Sequence, residues 1–122
     1  MHEYSLMQTL LAQIREIARE NRARNVTEIT VAVGPLSGVE PLLLEGAFSQ
    51  LAIGELLASA RLRIELVPLI IECEACRQTS ELTDFVFACP LCGCEQTRVT
   101  NGDTFILRNV VLEQPQALEM TS

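Results

Sequence analysis

Lysine and tryptophan are absent from this chain of 122 residues, and histidine and tyrosine occur once each. Each absence excludes something. Without Lys there is no P-loop, whose lysine reaches the phosphates of a bound nucleotide. With His2 as the only histidine, there is no second imidazole for a triad or a catalytic metal site. An enzyme is therefore not expected. Aromatic residues make up 4% and apolar residues 48%, so the core must be built from Leu, Ile, Val and Ala. Positive charge is scarce. Nine arginines face sixteen acidic residues, a net charge of −7. Contacts to several phosphates need a positive surface, so DNA and RNA are not expected partners. No apolar run approaches the roughly 18 residues that span a bilayer, the longest lying near Val67 to Ile71. The start, Met1-His2-Glu3-Tyr4-Ser5, lacks a basic segment and an apolar stretch with a cleavage site. The expectation is a cytoplasmic protein with no membrane partner. In that reducing compartment, paired cysteines bind metal more often than they form disulfides.

What is present falls into periodic segments. Leu6, Met7, Leu10, Leu11, Ile14, Ile17 and Ala18 recur at helical spacing. Ser5 and Gln8 fit a capping box, which predicts a helix start near Ser5 with residues 1 to 4 as a free tail. Thr27 to Val33 alternates like a strand with one buried face, ended by Gly34-Pro35. Pro41 suits the first position of a second helix, with Leu43, Leu44, Ala47, Phe48, Leu51 and Ala52 as its apolar face and Gly54 as its stop. Leu62 to Leu66 is a second strand. Thr104 to Glu113 is a third, whose phase slips at Arg108-Asn109 as at a bulge. Gln114 to Ser122 reads as a loose tail. The fold class is α+β: two helices packed on one face of a three-stranded sheet, with a cysteine-bearing insert before the last strand. Residues 1–68 and 101–122 form the discontinuous α+β domain, and residues 69–100 the insert.

Cys73-Glu-Ala-Cys76 and Cys89-Pro-Leu-Cys92 are two C-x-x-C pairs separated by twelve residues. Each pair can make a tight turn with two thiolates on one ion. Two such turns give the tetrahedron of four sulfurs that zinc accepts. A hairpin over residues 77–88 would bring them together, and Gly93 stands where positive φ is often needed. A thioredoxin-like motif needs one pair only. A rubredoxin-like iron site shares the turns, but its aromatic-rich core and longer spacing are missing, and four thiolates alone do not separate the two metals. Four cysteines close the coordination sphere, so the metal is structural, folding a segment too small to fold alone. Glu72, Glu74, Glu81, Asp84 and Glu95 against Arg77 and Arg98 leave the insert acidic, which disfavours a nucleic-acid-binding zinc ribbon. Cys94 is read as a bystander.

The other end of the chain carries a second constellation. The α-amino group of Met1, the backbone nitrogen of His2 and its imidazole can form fused chelate rings. Such nitrogen-rich, near-planar sites suit nickel(II) or copper(II).

The start Met1-His2-Glu3-Tyr4-Ser5-Leu6, the stretch Val33-Gly34-Pro35-Leu36-Ser37-Gly38-Val39-Glu40-Pro41 and the paired cysteines with Cys89-Pro90-Leu91-Cys92-Gly93 together resemble the HypA family, which includes HybF. The resemblance covers nearly all of residues 1 to 113. It implies a nickel metallochaperone whose α+β domain carries a zinc-ribbon-like insertion. It implies transported Ni(II) at Met1, His2 and Glu3, with His2 essential, and structural Zn(II) on Cys73, Cys76, Cys89 and Cys92. The implied partners are the GTPase HypB and the large subunit of a [NiFe]-hydrogenase; some relatives also serve urease. Three positions depart from the family pattern. Arg77 stands where Gly is common, Cys94 where Ser is frequent, and Gly102-Asp103-Thr104-Phe105 replaces the usual Gly-x-Glu-Leu.

Overall fold

The computed structural model describes residues 2–114. The expectations placed on Met1, as a nickel ligand, and on the tail beyond Gln114 lie outside the described residues. Helix α1 spans His2–Glu20, β1 Asn25–Val33, α2 Pro41–Leu51, β2 Arg61–Leu66, β3 Leu69–Cys73, β4 Thr79–Leu82, β5 Thr97–Asn101 and β6 Phe105–Glu113, with a short 3-10 turn at Glu55–Leu57. Two three-stranded sheets result, ordered β2-β1-β6 and β4-β3-β5. The chain falls into two compact units. One takes the chain up to Val31, Glu40–Ile64 and the chain from Leu107; the other takes Ala32–Val39 and Glu65–Ile106.

In the first unit, α1 buries Met7, Leu10, Leu11, Ile14 and Ala18, the stripe expected at helical spacing. It packs on α2. Two expectations fail here. The first is the helix start, which lies at His2 and not near Ser5. A tertiary anchor outweighs the local Ser5–Gln8 cap: the Glu3 carboxylate accepts the Glu40 N–H at 2.9 Å and ties the first turn of α1 to the start of α2. Residues 2 to 4 are therefore helical rather than a tail. The second is the place of Leu43 on the apolar face of α2. Pro41 does occupy the first turn, capped by the Glu40 carboxylate on the Leu42 N–H. Leu44 and Ala47 are buried and Phe48, Leu51 and Ala52 half-buried, as expected, but Leu43 stands exposed beside Leu42. Successive helical residues are about 100° apart, so three leucines in a row cannot share one face.

Strand β1 is central in its sheet, and Ile29 to Val33 are buried without interruption. The expectation of a single buried face therefore holds only at its start. The Arg24 N–H donates to the Glu113 carbonyl at 2.7 Å, and the Gly34 N–H to the Thr104 carbonyl at 2.8 Å. The start of β1 thus meets the end of β6 and the reverse, an antiparallel pairing. Exposure along β6 alternates, then breaks at Arg108 and Asn109, both exposed, where the phase slip was expected.

In the second unit, pairing continues past Gly34, because the Leu36 N–H donates to the Gly102 carbonyl at 2.7 Å. A Cβ on Gly34 would lie 2.1 Å from that oxygen. Gly102 has φ +130°, and a Cβ there would lie 3.1 Å from the Leu69 Cα. Both positions need glycine for close approach. β3 pairs antiparallel with β4 and with β5, the latter register shifting between Ile70 and Ile71. The expected hairpin over residues 77–88 does not form. Its first part is β4, which folds back on β3 across the first cysteine turn, and the rest is a bend.

Candidate metal centres

The two cysteine turns are built alike. Cys73 closes β3, and its sulfur accepts the N–H groups of Ala75 at 3.3 Å and Cys76 at 3.4 Å. The Cys89 sulfur accepts the Leu91 N–H at 3.4 Å. Each turn is closed by the residue after its second cysteine: the Arg77 N–H donates to the Cys73 carbonyl at 2.9 Å, and the Gly93 N–H to the Cys89 carbonyl at 2.8 Å. Both closing residues are left-handed, Arg77 at φ +64° and Gly93 at φ +80°. The positive φ expected at Gly93 is present. At Arg77 a side chain occupies a conformation that favours glycine. Sheet pairing then brings the turns together, because Cys73 lies opposite Thr97 and the Glu74 N–H donates to the Gln96 carbonyl at 2.9 Å.

The four sulfurs converge. Cys73 and Cys92 are 3.6 Å apart, Cys76 and Cys89 3.7 Å, and all four lie within 4.8 Å of one another. A zinc–sulfur bond of about 2.3 Å in a tetrahedron sets sulfurs ~3.8 Å apart, so the cluster fits a zinc ion at its centre. A disulfide needs sulfurs about 2.05 Å apart, and all five cysteines are free. The electrostatics fit a cation too. The Cys76 and Ala75 N–H groups hold the Cys73 thiol down at about 6. The Cys92 and Leu91 N–H groups likewise lower Cys89. The second cysteines go the other way. Cys92 receives help from the Cys94 N–H, but the neighbouring sulfurs of Cys73 and Cys89, with burial, push it up to about 12. Cys76 is raised by burial and the sulfurs of Cys73 and Cys89, against a lowering bond from Gln78. Four adjacent thiolates repel one another, and a divalent cation removes that penalty.

Cys94 is outside the cluster. Its carbonyl accepts the Cys89 N–H at 2.8 Å, as the Gln78 carbonyl accepts the Cys73 N–H at 3.0 Å. It therefore fills the place in the second turn that glutamine fills in the first.

At the other end, His2 is exposed in the first turn of α1, while Glu3 is buried. The first four N–H groups of a helix have no acceptor within it, so a helix that starts at His2 still leaves those nitrogens uncommitted to its ladder. Hydrogen bonding to the Glu40 N–H holds the Glu3 carboxyl below its ordinary range. One Glu3 oxygen is thus engaged by Glu40, a partner 37 residues away that no local pattern reveals. Beside them a cleft of about 370 Å³ is lined by Glu3, Tyr4, Leu42, Leu43 and Gln50.

The model of the HypA family, described as hydrogenase/urease nickel incorporation metallochaperone, matches residues 1–112. A hydrogenase maturation factor HypA of Shewanella sp. (strain MR-7) is 41% identical, covering 93% of this chain and 97% of its own. Its counterpart in Aquifex aeolicus is 42% identical, covering 93% and 98%. Among solved structures, a solution structure of HypA protein superimposes with a TM-score of 0.68 at 25% identity, covering 92% of this chain and 96% of that one. That of the nickel metallochaperone HypA from Helicobacter pylori gives 0.65 at 23% identity, over 93% and 98%, a likeness of fold.

Proposed function

We propose, because this chain belongs to the HypA family of hydrogenase/urease nickel-incorporation metallochaperones, that it takes up nickel(II) at its amino-terminal end on Met1, His2 and Glu3. The family's work is nickel handling in hydrogenase maturation, not catalysis, and its structural zinc fits the four-sulfur cluster. In our reading Cys73, Cys76, Cys89 and Cys92 are the zinc ligands. The zinc cross-links the two turns and leaves no position open for water.

The observation that carries the nickel assignment is the exposed imidazole of His2 in the opening turn of α1. There it stands beside main-chain nitrogens with no helical acceptor. The terminal amine, those nitrogens and the imidazole supply the near-planar field that nickel(II) prefers. Glu3 supports the turn through Glu40 and brings a carboxylate close to the ion. The positive end of the α1 dipole opposes a dication, which weakens retention and favours handover. Uptake displaces protons from the nitrogens, so acid releases the cargo.

A HypB-type GTPase is the proposed companion, and the large subunit of a [NiFe]-hydrogenase the proposed recipient. Both would meet the amino-terminal end, where the nickel is. Among the described residues no helix is long and apolar enough to cross a membrane, and we place the work in the cytoplasm. The test is His2→Ala. Nickel titration by calorimetry should lose its tight phase, by a hundredfold or more in affinity, with zinc content and circular dichroism unchanged. Undiminished nickel affinity in that variant would refute the site.

A further inference from the structure

Aromatic side chains are rare here, four Phe and one Tyr in the whole chain, yet two of them stand on one exposed bend. Phe85, Val86 and Phe87 lie between β4 and the second cysteine turn, and Phe85 is 60% exposed, Val86 64%. Leu91, within that turn, is 66% exposed. The bend is shaped by its own bonds. The Asp84 Oδ1 accepts the Val86 N–H at 3.2 Å, the Ala88 N–H donates to the Val86 carbonyl at 2.9 Å, and the two rings sit 6.4 Å apart. Beside it runs a cleft of about 360 Å³ lined by Glu81, Leu82, Asp84, Val86 and Pro90.

Displaying apolar surface to water is unfavourable, and contiguous apolar patches with a polar rim mark interaction sites. Aromatic side chains are the usual anchors of such sites. The rim also states a charge. Glu81 and Asp84 line the cleft beside Val86, and no basic residue occurs in the sequence between Arg77 and Arg98. We propose that the 81–91 tip docks a segment of another protein that presents apolar side chains flanked by arginine or lysine. The apolar side chains would cover Phe85, Val86 and Leu91, and the cations would meet Glu81 and Asp84. A second copy of this chain brings the same negative rim and is repelled. So is an anionic lipid surface, which attracts basic patches.

The probe is a synthetic twelve-residue peptide with a leucine- and phenylalanine-containing centre and two arginines at each end, offered to the full zinc-loaded chain. A control peptide keeps the centre and replaces the arginines by glutamates. The arginine peptide should bind, with NMR shifts confined to residues 81–91, and weaken about tenfold between 50 and 500 mM salt as screening sets in. The glutamate peptide should bind at least tenfold more weakly. Phe85→Ser should remove most of the affinity. The double variant Glu81→Gln, Asp84→Asn should abolish the salt dependence, because the amide introduced by Asp84→Asn keeps an oxygen for the Val86 N–H while losing the charge. Zinc content reports folding in each case, and the double variant decides if Phe85→Ser fails to hold zinc. Equal binding of the two peptides, binding indifferent to both variants, preference for anionic vesicles, or no binding at millimolar peptide would each overturn the proposal.

Discussion

Glu3 has a structural task of its own. Its carboxylate holds the Glu40 N–H, and that bond keeps it ionised at lower pH than an ordinary glutamate with a value near 4.5. A carboxyl whose value is depressed by folding stabilises the fold fully above its unfolded value, and that contribution is lost as pH falls through the folded one. The tie between α1 and α2 should therefore stay intact above about pH 4.5 and loosen below it. NMR can follow this directly. The Glu40 amide proton should shift with a midpoint below 4.5 in the native chain, and the titration should vanish in Glu3→Gln. A midpoint at or above 4.5 would separate Glu3 from the Glu40 bond. His2, its neighbour, is exposed.

Among the elements, the two cysteine turns offer an internal comparison, since they share hydrogen bonds and differ in the closing residue. Gly93 accepts positive φ freely, whereas Arg77 adopts it against steric resistance of roughly 1–2 kcal/mol. Glycine at 77 removes that resistance but enlarges the entropy of the unfolded chain. Arg77→Gly should therefore stabilise the zinc-loaded chain by no more than about 1 kcal/mol, seen as a small rise in thermal midpoint. A lowered midpoint would mean that the arginine side chain contributes more than its backbone costs. The turns were the most legible part of the sequence, because C-x-x-C spacing fixes local geometry by itself. β1 was legible too, since Ile29, Val31 and Val33 alternate; its second buried face was not, because Thr30 and Ala32 are small enough to suit either side. The start of α1 was misplaced for a different reason. Its anchor joins Glu3 to Glu40, and a capping pattern sees only four residues at a time. Leu43 looks like core in a list of apolar positions, and only the helix rotation places it outside.

For the molecule as a whole, the two metal environments are opposites in coordination. The sulfur cluster offers an ion four ligands that already lie within 4.8 Å of one another. The proposed nickel site is open, rich in nitrogen and exposed. A cross-link that closes the β4-β3-β5 sheet should be needed by that sheet above all, because a short segment stabilised by metal gains folding energy from it. Chelation of zinc should erase hydrogen-exchange protection in Ile70, Ile71 and Glu72. Protection in α1 at Leu10, Leu11 and Ile14 should persist, since those residues are buried in a core of their own. Simultaneous loss in both places would show that the chain folds only as one body.

The meeting of Gly34 and Gly102 has a consequence for anyone who varies this protein. At residue 34 the obstacle to a side chain is main chain, the Gly102 oxygen at 2.1 Å; at residue 102 the Leu69 Cδ1 lies at 2.8 Å and its Cα at 3.1 Å, and the φ of +130° itself favours glycine. Compensating mutations work by trimming a neighbouring side chain, and neither a peptide oxygen nor a backbone angle can be trimmed. A combinatorial library randomised at both sites should return glycine at both among its foldable members, with no paired alternative, so these two positions work like a rivet that drift can neither loosen nor replace.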